Sequence, residues 1–308
     1  MGFPNDCELR HLREFPPEPV HRFAHEAMGT IFEVLIAGQE AGYALQASQA
    51  VFQEIDRLEA LFSRFNPTSE IGQINRLRAD EPLRISLDTF ECLKVAERVQ
   101  LETAGAFDIN FRKSKRSSER PEFELTASGS GFSIGLRQDF LQRSPDGLDL
   151  DLGAVGKGYA LDRAASILAD WSVERFLIHG GTSTALAAGD APGLSQGEAG
   201  WPVGVGGTWE LRGVPKRILL NGRALSGSGT EVKGRHIRDP RTGRPAEGHQ
   251  AAWVSHPSAA VADALSTAFL AMSSREARRY CEKHPDVWAL LITPKKKGLL
   301  FNRDIVGA

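Results

Sequence analysis

Apolar residues recur at helical spacing in four segments of the chain, which are therefore predicted to form amphipathic or buried helices. They are residues 41–62, 85–104, 159–170 and 258–272. The last segment is so rich in Ala, Leu and Phe that we expect it to be buried on nearly all sides. These four helices should supply much of the core.

Between the helices, period-two alternation and short apolar runs predict several strands. The predicted strands are residues 31–36, 148–152, 175–179, 185–188, 203–205 and 217–220, with hairpins at 123–136 and 287–301. Residues 224–229, ALSGSG, are predicted to form a Gly/Ser turn. Because helices occur among many strands without regular βαβ alternation, the pattern favours an α+β fold over a doubly wound sheet.

Residues 148–168, LDLDLGAVGKGYALDRAASIL, run from a predicted strand through three glycines into a helix. This turn carries the Asp151 carboxylate on one side and the Lys157 ammonium on the other. Bare backbone N–H groups at a helix start suit an anionic, phosphate-bearing ligand. The segment is neither a P-loop nor a GxGxxG fingerprint, since no Ser or Thr follows Lys157 and the glycine spacing differs. The alternative interpretation is an ordinary strand–helix connection with a surface lysine.

Asp263 is the only charged residue between Pro257 and Arg275 in the predicted buried helix. A buried lone carboxylate is costly unless it is paired or bound to a metal. Thr267 lies four residues further on and therefore on the same helix face. Two hard oxygens at that spacing suit Mg²⁺. An Asp held by a neighbouring Arg or by backbone N–H groups is the alternative.

Composition narrows the class of protein. The 308 residues are 41% hydrophobic with a net charge of −2, so nothing global indicates a nucleic-acid or anionic-membrane partner. Three scattered cysteines form no metal motif or disulfide framework. Residues 1–20 are expected to form an irregular arm, and residues 21–308 one domain that could comprise two subdomains. With no apolar run of membrane length and no signal peptide, we expect a cytoplasmic protein, or a periplasmic or membrane-anchored one if a leader was removed.

Eight segments, each weak alone, occur in the order found in the ApbE-type FAD:protein FMN transferases, and the chain resembles that family over nearly its whole length. The segments are AMGT at 27–30, FSRFNPTSEIGQIN at 62–75, GAFD at 105–108, LDLGAVGKGYALD at 150–162, LIHGGTSTALAAG at 177–189, LSGSG at 225–229, HIRDPRTGRP at 236–245 and VADALSTAFLAM at 261–272.

The resemblance implies an ApbE-like, T-fold-related architecture and Mg²⁺-dependent transfer of FMN from FAD to a Thr or Ser hydroxyl of a target flavoprotein, with release of AMP. It implies a monomer or homodimer whose partners are FAD and the acceptor protein. Asp263, Thr267 and the Ala154 carbonyl would hold the metal, and His236 would assist proton removal from the acceptor. The residues implied to contact FAD are Met28, Phe65, Ala106, Phe107, Asp108, Asp151, Lys157 and Ile237.

The chain departs from the family pattern at two places. Thr182 follows the paired glycines, where the family usually has Asp, and Asn110 together with the basic run 112–120 replaces the usual segment after GAFD. Two other functions therefore stay open. One is an FAD pyrophosphatase that gives FMN and AMP, and the other is a non-catalytic FAD-binding protein.

Overall fold

The structure, a computed structural model, describes residues 18–77, 82–111, 122–129, 131–136, 148–207, 209, 214–229 and 237–306. Most of the predicted N-terminal arm, nearly all of the polar run 112–122, and His236 lie outside the described residues. The fold is a mixture of helices and antiparallel sheets, which confirms the predicted α+β class.

Eight strands form one large sheet in the order β1-β2-β6-β7-β10-β11-β12-β13, and each neighbouring pair is antiparallel. A three-stranded sheet, β3-β5-β4, and a two-stranded sheet, β8-β9, complete the strands of the described residues. The bounds are β1 Val20–Ala27, β2 Thr30–Ala37, β3 Leu83–Ile85, β4 Phe123–Ser128, β5 Gly131–Leu136, β6 Phe176–Gly180, β7 Thr184–Ala188, β8 Trp201–Gly204, β9 Arg217–Leu220, β10 Arg223–Gly229, β11 Ala251–His256, β12 Trp288–Ile292 and β13 Gly298–Phe301.

The helices begin at residues whose side chains accept hydrogen bonds from the first turn in most cases. Ser86 caps the second long helix, and Ser258 caps the apolar one. The bounds are α1 Ala41–Phe62, α2 Glu70–Ile74, α3 Leu87–Glu102, α4 Gly156–Asp170, α5 Ala259–Ala271 and α6 Ser274–Lys283. Among the described helices, none is both long and apolar enough to cross a membrane.

The large sheet is covered on both faces. Phe32, Val34 and Ile36 of β2 point into the main core, which the long helices share. The intervening Leu35 packs against a second core on the other face, built around residues such as Trp201 of β8 and Ile218 of β9. Strand alternation thus separates the two layers.

The strand predicted at 148–152 is wrong, although its alternation of burial is right. Leu148, Leu150 and Leu152 are buried, but no strand of the described residues pairs with this segment. Its backbone is bound instead by side chains: Leu150 N–H donates to Asn75 Oδ1 (2.6 Å) and Asp149 N–H donates to the side-chain carbonyl of Asn110 (2.9 Å). Asp151 N–H also donates to the Ile109 carbonyl at 2.8 Å. Two asparagine side chains and this one carbonyl therefore replace a neighbouring strand as hydrogen-bond partners.

The Gly/Ser turn predicted at 224–229 is also wrong, because this segment is strand β10, near the middle of the large sheet. Its small residues serve close packing rather than a turn. A Cβ on Gly227 would lie 2.9 Å from the indole nitrogen of Trp253, which is paired with it on β11. As a strand, β10 places Ser226 and Ser228 on one face.

His249 connects the segment before β11 to the two C-terminal helices. Its Nδ1 lies 2.6 Å from the Phe269 carbonyl of α5, and its Nε2 lies 3.0 Å from the Ser274 hydroxyl of α6. Burial lowers the pKa of His249 below its ordinary value of 6.5. The unfolded chain therefore takes up a proton near pH 6.5 that the folded chain resists, so folded stability decreases as pH falls through this region.

We expect the His249→Gln variant, which stays uncharged, to lose less stability than the wild type between about pH 7.5 and about pH 5.5. Thermal unfolding at the two pH values measures this difference. His256 contributes with the same sign, since burial also lowers its pKa, so part of the dependence remains in the variant. If the variant's stability depended on pH as strongly as that of the wild type, His249 would not contribute to the pH dependence of stability.

Candidate active site

Several turns and strand ends meet at one end of the strands of the large sheet. The β1–β2 turn contains Met28, in a left-handed conformation with φ 50°, and the β6–β7 turn contains Gly181. The β6–β7 turn contacts the start of β2, since Gly181 N–H donates to the Ile31 carbonyl at 2.8 Å. Strand β10 finishes at Gly229, at the same end of the sheet's strands. The start of α4 and the middle of α5 pack over these turns and strand ends.

Helices α4 and α5 approach each other closely at Gly158. A Cβ built on Gly158 would lie 2.2 Å from the Ala259 carbonyl oxygen and 2.7 Å from Ala260 Cα. Asp162, one turn further along α4, fixes the start of α5, because its carboxylate accepts hydrogen bonds from Ser258 Oγ (2.7 Å) and Ala259 N–H (2.6 Å). The glycine and the aspartate together set the distance between the Gly-rich turn and the face of α5.

Asp263 lies at the centre of this contact and is only 4% exposed. Its Oδ2 accepts from Gly158 N–H at 3.3 Å and lies 3.6 Å from Lys157 Nζ. Lys157 Nζ also donates to the Gly153 carbonyl at 2.9 Å. The predicted glycine turn and the predicted buried carboxylate are therefore neighbours, although they are more than a hundred residues apart in the chain.

Hydroxyl groups surround the other side of Asp263. Its Oδ1 accepts from Ser226 Oγ at 3.2 Å and from Thr184 Oγ1 at 3.5 Å, and both side chains are buried. Thr267, four residues along α5, is the only residue of this helix that is not buried. The Thr267 hydroxyl lies 3.3 Å from Ser228 Oγ. The result is a set of hard oxygen atoms on β7, β10 and α5.

An aromatic residue and two charged residues form a group beside the glycine turn. Phe65 is 79% exposed, and the Arg64 guanidinium lies 4.0 Å from the centre of its ring. Arg64 Nε also lies 3.2 Å from Asp151 Oδ2, while Asp151 Oδ1 accepts from Gly153 N–H at 2.9 Å. Arg64 therefore links Phe65 to Asp151.

The model of the ApbE family matches residues 28–291 of this chain. The chain belongs to the ApbE family. Curated relatives named FAD:protein FMN transferase include one from Salmonella typhimurium, 25% identical over 82% of this chain and 79% of the relative. Another, from Chlamydia pneumoniae, is 26% identical over 83% of this chain and 86% of the relative. The family, fold class and enzyme class predicted from the sequence are confirmed.

Solved structures of ApbE proteins share the fold. The flavinyl transferase ApbE of Pseudomonas stutzeri superimposes with a TM-score of 0.74 at 19% identity, covering 94% of this chain and 97% of that one. The ApbE protein of Thermotoga maritima gives a TM-score of 0.71 at 22% identity over 92% of this chain and 98% of that one. At these identities the likeness establishes the ApbE fold.

The oxygen atoms near Asp263 fit a hard divalent cation such as Mg²⁺. A carboxylate, a hydroxyl and a backbone carbonyl are the ligand types that Mg²⁺ prefers. Asp263 is buried, and its contacts of 3.2 to 3.6 Å are longer than ordinary charge-assisted hydrogen bonds. The alternative from sequence is an Asp held by a neighbouring Arg or by backbone N–H groups. It is present in part, because Gly158 N–H donates to Asp263, while the neighbouring cation is Lys157 rather than an Arg. Neither arrangement excludes the other.

The remaining residues implied by the ApbE resemblance occupy different surroundings. Asp108 is nearly buried and accepts from Asn110 N–H at 2.7 Å, whereas the side chains of Ala106 and Phe107 are buried in the main core. Met28 and Ile237 are partly buried against the same core. The structure therefore leaves mainly backbone groups of Ala106 and Phe107 to meet a ligand.

An open cleft of about 640 Å³ lies at the opposite end of the strands and contains none of the predicted site residues. It lies between the second half of α4 and the far ends of β6 and β7, with Ala169, Phe176 and Ala188 in its wall. Its lining is poor in groups that could bind a diphosphate, so we do not assign the ApbE activity to it.

Sequence reasoning missed Arg64, Thr184, Ser226, Ser228 and Ser266 as neighbours of the site. Two signals were available for the serines. Ser266 is a second polar residue beside Thr267 in an otherwise apolar helix, and the alternation of Ser226 and Ser228 is that of one strand face. No sequence signal brings Arg64 to Asp151, because that contact depends on tertiary structure.

Proposed function

We propose that this ApbE-family protein transfers FMN from FAD to a Thr or Ser hydroxyl of a target flavoprotein and releases AMP, with Mg²⁺ required. The observation that carries the proposal is the contact between the buried Asp263 and the Lys157–Gly158 start of α4. Family membership and the names of the curated relatives support the reaction class. FAD is the donor substrate and the flavoprotein is the partner.

The proposed reaction is a displacement at phosphorus. The acceptor hydroxyl oxygen forms a bond to the phosphorus of the FMN half of FAD, and the bond from that phosphorus to the bridging oxygen breaks. The bridging oxygen leaves with AMP, and the hydroxyl proton passes to a base. The products are an FMN–protein phosphoester and AMP, so atoms and charge balance.

The chain's own residues prepare this step by holding charge near the diphosphate. The Lys157 ammonium and the backbone N–H groups at the start of α4 favour the anionic diphosphate and its transition state. Asp263, Thr267 and the Ala154 carbonyl would hold the Mg²⁺. When bound, Mg²⁺ would neutralise phosphate charge and stabilise the leaving group.

The exposed face of Phe65 and the carboxylates Asp108 and Asp151 would orient the rest of FAD, together with Met28, Ile237 and the backbone at Ala106 and Phe107. A planar isoalloxazine or adenine ring stacks well on an exposed aromatic ring. Carboxylates accept hydrogen bonds from ring N–H and ribose hydroxyl groups. These contacts would fix the phosphorus in line with the acceptor.

His236 is proposed as the base that removes the acceptor proton, since the ordinary pKa of histidine lies near neutral pH. We expect the His236→Ala variant to lower the rate of transfer by about 10²-fold while FAD affinity changes little. Single-turnover transfer and FAD fluorescence titration measure the two quantities. An unchanged transfer rate would remove His236 from this role.

Incubation with FAD, Mg²⁺ and a flavoprotein expressed without its flavin tests the proposal. Covalent flavin fluorescence on the acceptor in a denaturing gel, with one AMP released per label, is the expected result. AMP and free FMN without labelled acceptor would indicate the pyrophosphatase, in which water replaces the hydroxyl. Bound FAD without turnover would indicate the non-catalytic binding protein. Either of the last two outcomes would contradict transfer.

A further inference from the structure

A chain of hydroxyl groups runs behind the face of α5 that carries Asp263 and Thr267. Thr267 Oγ1 lies 3.3 Å from Ser228 Oγ, and Ser228 Oγ lies 2.8 Å from Ser266 Oγ. Ser266 in turn donates to the Asp263 main-chain carbonyl at 2.9 Å. Ser266 is completely buried, and Ser228 is half-buried. The chain therefore connects the Thr267 side chain to the main chain of Asp263.

The direction of the hydrogen bonds follows from counting protons. A hydroxyl has one proton and two lone pairs, and a carbonyl can only accept. Because Ser266 gives its proton to the Asp263 carbonyl, it accepts the proton of Ser228. Ser228 has then used its proton and is an acceptor for Thr267. Among the described residues, Ser228 is the hydrogen-bond partner of the Thr267 hydroxyl.

This direction matters for a metal ligand. A neutral hydroxyl binds a cation through an oxygen lone pair, and its proton must point away from the cation. Thr267 can turn its lone pairs outward from α5 only if an acceptor behind it takes the proton. Outer partners that orient a ligand in this way commonly change metal affinity by about 10- to 100-fold when removed.

We propose that Ser228 is a positioning residue that accepts the Thr267 proton and so directs the Thr267 oxygen toward a divalent cation, with Ser266 fixing the orientation of Ser228. The proposal rests on the proposed function, because it assumes that Thr267 binds the cation. The cation would be Mg²⁺ or the similarly hard Mn²⁺. Ser228 itself would not contact the metal or the substrate.

Binding of Mn²⁺, followed by electron paramagnetic resonance in the presence of FAD, tests the proposal without relying on turnover. We expect the Ser228→Ala variant to bind Mn²⁺ about tenfold more weakly than the wild type, while its affinity for FAD without metal is unchanged. The Ser228→Thr variant keeps a hydroxyl and should retain most of the affinity. Ser166→Ala, which removes an exposed hydroxyl on α4, is the matched control and should change nothing.

A double-mutant cycle separates positioning from general damage. In a Thr267→Val background the Ser228→Ala change should weaken Mn²⁺ binding no further, because its effect passes through the Thr267 hydroxyl. Thermal unfolding shows whether each variant is folded. If Ser228→Ala does not fold, the Ser266→Ala variant is used instead. Without Ser266, the Ser228 hydroxyl is free to donate its proton to Thr267 rather than accept from it, so Mn²⁺ affinity should again fall.

The outcomes distinguish this inference from the proposed function. A wild-type protein that binds no Mn²⁺ with FAD would overturn both. Loss of Mn²⁺ in Thr267→Val together with full affinity in Ser228→Ala would overturn the positioning role alone. Equal losses from Ser228→Ala in the wild-type and Thr267→Val backgrounds would also overturn it, because the effect would then be independent of Thr267.

Discussion

The Asp263→Ala variant is expected to lose Mg²⁺-dependent turnover of FAD, by about 10³-fold or more, while the protein stays folded. Asp263 is the one carboxylate among the proposed metal ligands, so its loss removes the negative charge that would hold the cation. Folding should survive because removal of a buried carboxylate also removes its desolvation cost. The unpaired Gly158 N–H would cost about 1 kcal/mol.

Release of AMP measured against Mg²⁺ concentration checks this prediction, with thermal unfolding as the test of the fold. Asp263→Asn, which preserves the shape of the side chain, should be equally inactive. Asp170→Ala is the matched control, since Asp170 is an exposed acid at the end of α4. Full turnover by Asp263→Ala in excess Mg²⁺ would show that Asp263 is not part of the reaction centre.

The Gly158→Ala variant is expected to be destabilised by about 3 kcal/mol and to lose most of its transfer activity. The added methyl would overlap the Ala259 carbonyl and Ala260 Cα, and both are backbone atoms that a side-chain rotation cannot move. Helices α4 and α5 would have to separate. That movement would draw Lys157 and the glycine turn away from Asp263.

Gly156→Ala provides the comparison for this prediction. A Cβ on Gly156 would meet Leu152 Cβ at 3.4 Å and Phe62 at 3.6 Å, which are ordinary contacts. Alanine also favours a helix over glycine by up to about 1 kcal/mol. We therefore expect Gly156→Ala to keep or raise stability, as measured by chemical denaturation. Equal stability of the two variants would contradict the close packing described at Gly158.

Local patterns predicted the elements whose burial and boundaries are set within the segment itself. Helix α1 has the predicted bounds 41–62, and α5 is buried on nearly every side, as its composition indicates. Helix α4 starts at Gly156, earlier than the predicted residue 159, because its first turn is stabilised by tertiary contacts at Gly158 rather than by a side-chain cap. Strands β1, β3 and β11 and helix α6 were not predicted.

The errors arise where a distant part of the chain supplies the hydrogen bonds. Leu148–Leu152 alternates like a strand, but Asn75 and Asn110 satisfy its backbone. The Gly/Ser composition of β10 resembles a turn, yet its neighbours β7 and β11 make it a strand of the large sheet. Composition alone cannot identify such partners.

For the candidate site, the Asp263–Thr267 spacing and the 153–158 turn were visible as separate signals, and the resemblance joined them. The structure adds the distance between them and the hydroxyl groups behind them. Placing Phe65 beside Asp151 required Arg64, whose contact spans segments far apart in the chain. Such long-range pairs follow from packing, and no local pattern encodes them.

A crystal structure of the complex with FAD and Mn²⁺, with the ion located by anomalous scattering, would show directly whether Asp263 and the 153–158 turn hold the cation. We expect one Mn²⁺ about 2.1 Å from the Asp263 carboxylate, the Thr267 hydroxyl and the Ala154 carbonyl, next to the diphosphate of FAD. A diphosphate or ion bound away from Asp263 and the 153–158 turn would contradict it.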